Sequence, residues 1–307
     1  MLTINNISKK LSNYRNKKKF FKYSRNINPI LKKITKEKIH ILDLGAGNRY
    51  LKSIINFDGI SEIALVDPSQ NLEISSKNLM QKVKDKKAIK IFNFAISNKN
   101  GKSNFYPAKI STGSSLINFH KLIEKKKIKD SPIDKYFGKI KEKLIQTYSY
   151  KRFKSKFRWK GTDILKIDIE GYESKIIKDL LKNDRPLIIQ IELNFFSSLY
   201  GDSFNFVHNF LSRKGYKIIS LIPSFENDKK EFIKGDFENP IFRNQVVQAE
   251  CFYINLNQKF SIKNIITLFG FGFIDHAYKV YTQNKKYIKS RDTKKHILKL
   301  FSLFYKF

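Results

Sequence analysis

Acidic residues interrupt one of the most apolar segments of the chain. The stretch ILKIDIEGYE begins like a buried strand, then places Asp168 and Glu170 among apolar residues and Glu173 just after a glycine. A buried charge costs free energy, so acids at the end of a strand require an explanation. A carboxylate there can accept the proton of a reacting hydroxyl group. Strand alternation predicts that Lys166, Asp168 and Glu170 lie on the same side of the chain.

A glycine-containing loop follows the first apolar segment, IHILDLG. Asp43 ends that segment, and Gly45, Ala46 and Gly47 follow it. Glycines at this point let the backbone approach a ligand and turn tightly into a helix. A dinucleotide-binding loop would need a third glycine where Tyr50 stands. The remaining D-x-G-x-G pattern suits S-adenosylmethionine, because an acid such as Asp43 complements the positive charges of that cofactor.

Two later segments fit a nucleoside site. Asp67 ends the next strand and precedes Pro68, and a carboxylate at this position can accept both ribose hydroxyls of an adenosine. The alternative for Asp67 is a cap on the helix that follows. The third strand leads into a segment that could flank an adenine ring, or form an ordinary hairpin at NKNG. The candidates there are Asn93, Ala95 and Ile96.

Short apolar segments alternate with segments of helical spacing from residue 39 onward. The segments that we interpret as strands are IHILDLG, IALVDP, IKIFNFAIS, DILKIDIEG, PLIIQIELN, YKIISLI and VVQAECFYINL. The early ones are apolar throughout, as parallel strands buried on both faces should be. The pattern predicts an α/β fold with a doubly wound, mostly parallel seven-stranded sheet. Ligands of such sheets bind outside the carboxyl ends of the strands.

Basic segments flank this predicted domain, 39–257. Residues 1–38 predict a basic helical extension, and 258–307 predict a second one that ends in an amphipathic helix. Segment 107–160 breaks the alternation, which predicts an insertion that faces the substrate. The apolar positions of the predicted C-terminal helix are Ile297, Leu300, Phe301 and Phe304.

The chain of 307 residues carries a net charge of +34, from 61 Lys and Arg against 27 Asp and Glu. Such charge attracts nucleic acid or anionic lipid, whereas an A+T-rich genome would produce the same composition without a function. Cys251 is the single cysteine, so no internal disulfide is expected. The first residues lack an apolar segment of signal-peptide length. We therefore expect a cytoplasmic protein whose basic tail could contact the inner face of the membrane.

The ordered motifs resemble those of FkbM-type methyltransferases over about residues 39 to 255. They are DLGAG, the Asp67–Pro68 pair, AISNKNG, LKIDIEGYE, and IELN with Glu192 and Asn194. LKIDIEGYE is the most specific of them. The chain departs from the family pattern at GAGNRY, where G-A-N-x-G is frequent, and at Asp67, where Glu is common.

The resemblance implies a Rossmann-like class I methyltransferase fold and transfer of a methyl group from S-adenosylmethionine to an oxygen. The acceptor it implies is often a sugar hydroxyl of a glycan, a lipid-linked saccharide or a glycosylated natural product. The candidate catalytic acids are Asp168, Glu170 and Glu192. The candidate cofactor-binding residues are Asp43, Gly45, Ala46, Gly47, Asp67, Pro68, Asn93, Ala95 and Ile96.

Two alternatives remain open at this point. Asp168, Glu192 and Asn194 offer oxygen ligands, so Mg²⁺ could activate the hydroxyl in place of a base, and we leave the metal unassigned. The second alternative is an RNA methyltransferase, favoured by the net charge and by the aromatic, basic stretch SYKRFKSKFRWKG. No recognisable RNA-binding module supports it.

Overall fold

The computed structural model describes residues 27–35, 37–47, 50–107, 114–118, 121, 142–195, 204–225 and 246–304. The strands in this part are β1 (Ile39–Leu44), β2 (Ser61–Val66), β3 (Ile89–Phe92), β4 (Ala95–Ile96), β5 (Gly101–Phe105), β6 (Lys143–Tyr148), β7 (Ile164–Ile167), β8 (Ile188–Asn194), β9 (Tyr216–Phe225) and β10 (Val246–Asn255). Seven of them form one sheet in the order β3-β2-β1-β7-β8-β10-β9. Its strands are parallel except β10, which is antiparallel to β8 and β9. The predicted fold class is confirmed.

Helices cover both faces of this sheet. They are α1 (27–34), α2 (Asn71–Met80), α3 (Tyr150–Phe157), α4 (Glu173–Asn183), α5 (Phe204–Arg213), α6 (Ile262–Phe271), α7 (Ile274–Asn284) and α8 (Arg291–Ser302). Short 3-10 helices span Lys52–Phe57, Lys86–Ala88 and Lys285–Tyr287. No helix in the described ranges has the length and apolar character that crossing a bilayer requires.

Side chains that alternate along the strands pack into two separate hydrophobic cores, one on each face of the sheet. Along β1, Ile39 and Ile41 point to one side, which we call the first face, and Leu42 and Leu44 point to the second face. Helices α1, α2, α6, α7 and α8 pack on the first face, and α3, α4 and α5 pack on the second. Burial on both sides explains why these strands are apolar throughout.

The described parts of the two predicted extensions belong to the core of the first face. Leu31 of α1 and Phe301 of α8 are fully buried in the same apolar cluster as Ile41. Helix α8 has the predicted amphipathic pattern, with Ile297, Leu300 and Phe301 buried. Contact of this tail with a membrane stays a prediction, and its apolar side is already covered by the protein. Residues 1–26 lie outside the described residues.

The third predicted strand is divided into two, so its prediction as one strand was wrong. Ile89–Phe92 joins the main sheet, whereas Ala95–Ile96 joins a second sheet of order β4-β6-β5. The hairpin alternative at NKNG was also wrong, because β6 lies between β4 and β5. Strand β6 and helix α3 come from the predicted insertion 107–160, of which residues 108–113, 119–120 and 122–141 lie outside the described residues.

Candidate active site

A row of buried polar side chains crosses the sheet near the carboxyl ends of its central strands. Asp43 is in register with Lys166 on the neighbouring strand, and Lys166 is in register with Gln190 on the next. Their exposed fractions are 0%, 4% and 7%. All three continue the first face, where the preceding residues of each strand are apolar. Charges in such surroundings are stable only when they are paired.

Lys166 supplies the positive charge of this row. Its Nζ lies 3.3 Å from Asp43 Oδ1 and 3.1 Å from Asp168 Oδ2. Burial lowers the pKa of Lys166, but the carboxylates of Asp43 and Asp168 outweigh burial and raise the pKa above its usual value. Burial raises the pKa of Asp43 to about 6, although Lys166 and the Leu51 amide act in the opposite direction. Asp43 Oδ2 accepts a hydrogen bond from that amide at 2.6 Å, so Asp43 holds the far end of the glycine loop.

The three predicted catalytic acids meet just beyond this row. Carboxylate oxygens of Asp168, Glu170 and Glu192 lie within 4.8 Å of one another. We call these three residues the acid cluster. Glu250 on β10 stands opposite Glu192 in register and adds a fourth carboxyl group nearby. The catalytic roles of the acid cluster stay predictions, but the structure brings its members together as the sequence predicted.

Burial and mutual repulsion change the protonation of the acid cluster. Burial, followed by the charges of Asp168 and Glu173, raises the pKa of Glu192 to about 8. Burial and then Glu192 raise the pKa of Glu170 well above its usual range. Like charges this close cannot all ionise together, so the cluster retains protons at neutral pH.

The backbone around Glu170 is held in an unusual conformation. Strand β7 ends at Ile167, so the expected strand alternation does not continue to Glu170, whose φ is +53°. Non-glycine residues rarely adopt positive φ, and such strain persists where neighbouring contacts enforce it. Glu173 Oε1 accepts hydrogen bonds from the amides of Ile169 and Gly171 at 3.1 and 3.2 Å. These contacts fix the turn that carries Glu170.

Ser115, which was not among the predicted site residues, also holds this turn. Its Oγ donates a hydrogen bond of 2.7 Å to the carbonyl oxygen of Glu170. Ser115 lies in the predicted insertion, so the described part of that segment contacts the acid cluster. A small serine in a polar loop carries no sequence signal for such a contact. Lys166 did carry one, because it is a charged residue in the middle of an apolar strand.

Neighbouring protein atoms leave no room for a side chain on Gly45 or Gly47 of the first loop. A Cβ on Gly45, where φ is +82°, would lie 1.6 Å from the carbonyl oxygen of Asp168. A Cβ on Gly47 would lie 2.5 Å from Ser69 Oγ. The sequence predicted a close approach of a ligand here, and the structure adds a close approach of two other chain segments. Ala46 is fully buried. Cofactor binding stays a prediction for Gly45, Ala46 and Gly47.

Asp67 connects the first loop to the second strand. Its Oδ2 accepts a hydrogen bond from the Gly47 amide at 2.9 Å, and its Oδ1 accepts one from the Ser69 amide at 2.7 Å. Each oxygen keeps a further lone pair that could accept a ribose hydroxyl. The half-buried Pro68 directs the chain into the turn before α2.

A cleft of about 300 Å³ lies between α2 and the edge strand β3, and Ser69, whose amide donates to Asp67, is among its lining residues. It is lined by Ser69, Gln70, Leu72, Glu73, Ser76, Ile91 and Asn93. Its volume is at the low end of the range for small-molecule sites. Asn93 lines this cleft, whereas Ala95 and Ile96 are buried in β4 and Ile96 packs in the second core. Contact of these residues with an adenine ring stays a prediction.

A magnesium ion stays unassigned at this site. The acid cluster offers only oxygens, which would suit a hard cation. However, Lys166 already places a positive charge 3.1 Å from Asp168, and no comparison with known proteins supports Mg²⁺. We therefore derive no step through a metal.

The raised pKa of Glu192 predicts a change of stability with pH. The folded protein holds this proton more tightly than the unfolded chain, so its stabilisation is complete below about pH 4.5 and is lost as pH rises through about 8. Between about pH 6 and about pH 9, the wild type should lose about 2 kcal/mol more free energy of unfolding than Glu192→Gln. Urea denaturation followed by circular dichroism measures both slopes, and equal slopes would contradict a buried proton on Glu192.

Comparison with known proteins assigns the family. A family model described as the methyltransferase FkbM domain matches residues 43–218, which is more than half of the chain. No match was found among the curated proteins.

Several solved structures of methyltransferases align with part of this chain. Methyltransferase FkbM from Methylobacillus flagellatus KT aligns over 71% of this chain at 12% identity, with a TM-score of 0.39. The alignment covers 43% of that chain, so this protein spans less than half of that relative. Precorrin-6y C5,15-methyltransferase from Geobacter metallireducens GS-15 aligns over 73% of this chain and 86% of its own, at 10% identity and a TM-score of 0.35.

A methyltransferase domain of bacterial CtHen1-C aligns over 75% of this chain and 95% of its own, at 14% identity and a TM-score of 0.33. The match of the family model agrees with the sheet order and with the position of the glycine loop at the end of β1. The chain therefore belongs to the FkbM methyltransferase family, and its main sheet is Rossmann-like, mostly parallel and seven-stranded.

Proposed function

We propose that the protein is an S-adenosylmethionine-dependent O-methyltransferase. The proposed acceptor is a sugar hydroxyl of a glycan, a lipid-linked saccharide or a glycosylated natural product. The observation that carries this proposal is the convergence of Asp168, Glu170 and Glu192 within 4.8 Å, one strand away from the glycine loop. Carboxyl groups in this arrangement can align a hydroxyl group and accept its proton.

The residues of the site divide the work of such a transfer. S-adenosylmethionine supplies, when bound, a methyl group on a positively charged sulfur. Asp67 and the cleft beside it would hold the nucleoside part of the cofactor. Asp168 would accept the hydroxyl proton of the acceptor. Glu192 retains a proton near neutral pH, so it would donate a hydrogen bond to another oxygen of the acceptor. Burial raises the pKa of Glu170 as well, which favours the same role.

The charge of the site favours a sugar over RNA as the acceptor. Four carboxyl groups lie near the proposed reacting centre, and the ionised ones among them would repel a phosphodiester backbone. The aromatic residues of the basic stretch are also largely occupied inside the protein. Tyr150, Phe153 and Trp159 are buried in the second core and leave few rings for stacking on bases.

Replacing Asp67 by Ala should weaken S-adenosylmethionine binding by about tenfold or more, because a charged acceptor of hydrogen bonds is lost. Isothermal titration calorimetry measures this affinity. Asp58→Ala is a matched control, since Asp58 also accepts two backbone amides, from Lys84 and Asp85, but lies at the other end of β2. Asp58→Ala should bind S-adenosylmethionine with the affinity of the wild type.

The absence of cofactor binding by the wild type would refute the proposal, and so would equal affinities of Asp67→Ala and the wild type. The class of acceptor is then tested by supplying S-adenosylmethionine with a labelled methyl group and measuring label transferred to a panel of saccharides and to total RNA. Transfer to a saccharide hydroxyl supports the proposed class. Transfer to RNA alone would instead support the RNA methyltransferase.

A further inference from the structure

Lys166 joins the two halves of the site. On one side it contacts Asp43, which holds the Leu51 amide and so the end of the glycine loop. On the other side it contacts Asp168 of the acid cluster. The backbones of these segments are also joined, since the amide of Asp168 donates to the carbonyl oxygen of Leu44 at 3.0 Å. The glycine loop and the acid cluster are therefore connected twice, once through the side chain of Lys166 and once through this backbone hydrogen bond.

We propose that Lys166 is a positioning residue, which couples the glycine loop to the acid cluster and fixes the carboxylate of Asp168 relative to the acceptor. Its effect on catalysis rests on the proposed function, whereas its effect on the two loops does not. A neutral side chain in its place would leave two carboxylates without their shared partner. Removing one partner of a buried charge pair loosens or destabilises the groups that remain.

The groups around Lys166 make this role specific. Asp43 faces it from β1, Asp168 and Glu170 from the turn after β7, and Glu192 from β8. The neutral Gln190 fills the β8 side, where its Nε2 donates to Glu250 of β10. Glu173 at the start of α4 adds charge to the acid cluster. One ammonium group thus interacts with carboxyl groups from β1, from the turn after β7 and from β8, so we expect its removal to affect the whole cluster.

A double-mutant cycle separates the two contacts of Lys166. It consists of the wild type, Asp43→Asn, Lys166→Met and the double variant Asp43→Asn/Lys166→Met. Asparagine at 43 removes the buried charge that Lys166→Met would leave unpaired, so the double variant should regain most of the lost thermal stability. It should not regain turnover, because Asp168 still lacks its partner. We expect kcat to fall about 100-fold with Lys166→Met in both backgrounds.

Hydrogen exchange provides a readout that needs no turnover. The amides of Leu51 and Asp168 report on the glycine loop and on the acid cluster, respectively. In Lys166→Met both amides should exchange about tenfold faster, whereas the amides at the centre of β8 should not change. Loss of this protection together with no methyl transfer by the wild type would refute the proposed function and keep the coupling role of Lys166.

Two results would overturn the inference. Unchanged protection of both amides in Lys166→Met would show that Lys166 couples nothing. Recovery of kcat in the double variant would show that Lys166 acts only by neutralising Asp43 and does not position Asp168. Lys263→Met is the matched control, because Lys263 forms an ion pair of 2.6 Å with Asp163 away from the acid cluster. This control should lose thermal stability without any change of kcat or of the exchange of Leu51 and Asp168.

Discussion

Replacing Asp168 by Asn should lower kcat for methyl transfer by about 1000-fold, within the range that a general base contributes. Asparagine keeps the shape of the side chain but cannot accept the proton of the acceptor hydroxyl. Asp168 stands at the end of the central strand β7, ion-paired with Lys166 and within 4.8 Å of the other two acids. Single-turnover rates with a saturating saccharide acceptor measure the effect, and calorimetry checks that S-adenosylmethionine still binds.

The other two acids provide the comparison that makes this prediction specific. Glu192 retains a proton near neutral pH, and burial also raises the pKa of Glu170 well above its usual range. A glutamine resembles a protonated carboxyl group in shape and in its ability to donate. Glu170→Gln and Glu192→Gln should therefore lower kcat by only about tenfold. If Glu192→Gln is the most damaging of the three, Glu192 is the base and the assignment to Asp168 is wrong.

Replacing Phe301 by Ala should lower the free energy of unfolding by about 3 to 5 kcal/mol, as expected for removal of a fully buried phenylalanine. The ring has no exposed surface and packs edge-on against Phe269 and Tyr278, with centroid distances of 5.6 and 5.1 Å. The cavity would open in the core of the first face, on which the polar row also lies. Urea denaturation followed by circular dichroism measures the loss.

Leu298→Ala is the control on the same helix, because Leu298 is 45% exposed. It should change stability by less than about 0.5 kcal/mol. Equal losses for the two variants would show that α8 is not part of the core.

Because α8 contributes residues to the core, deleting the tail would not test a membrane contact by itself. Lys295→Gln with Lys299→Gln is a better test of vesicle binding, because both lysines are exposed.

The sequence predicted those features of the site that depend on neighbouring residues in one strand. The order of apolar and polar positions in ILKIDIEGYE gave the common side of Lys166 and Asp168, and the strand order brought Glu192 beside them. Pairing between distant segments was not predictable in the same way. Strand β4 pairs with β6, about fifty positions later, and no local pattern distinguishes that partner from a hairpin.

The role of the C-terminal helix illustrates the same limit. Helical spacing of Ile297, Leu300 and Phe301 indicates that one side of α8 is apolar, but spacing does not say what covers that side. Lipid, a second subunit and the protein's own sheet all satisfy the pattern. Packing against Phe269 and Tyr281 satisfies it within the chain.

The shared core of α1 and α8 has a consequence for the synthesis of the protein. Leu31 and Phe301 belong to one apolar cluster, although about 270 positions separate them. A chain emerging from the ribosome cannot close the first face of its sheet until α8 has been added. Contacts this distant in sequence slow folding and leave apolar strands exposed meanwhile. We therefore expect the nascent chain to need protection by chaperones until α8 has left the ribosome.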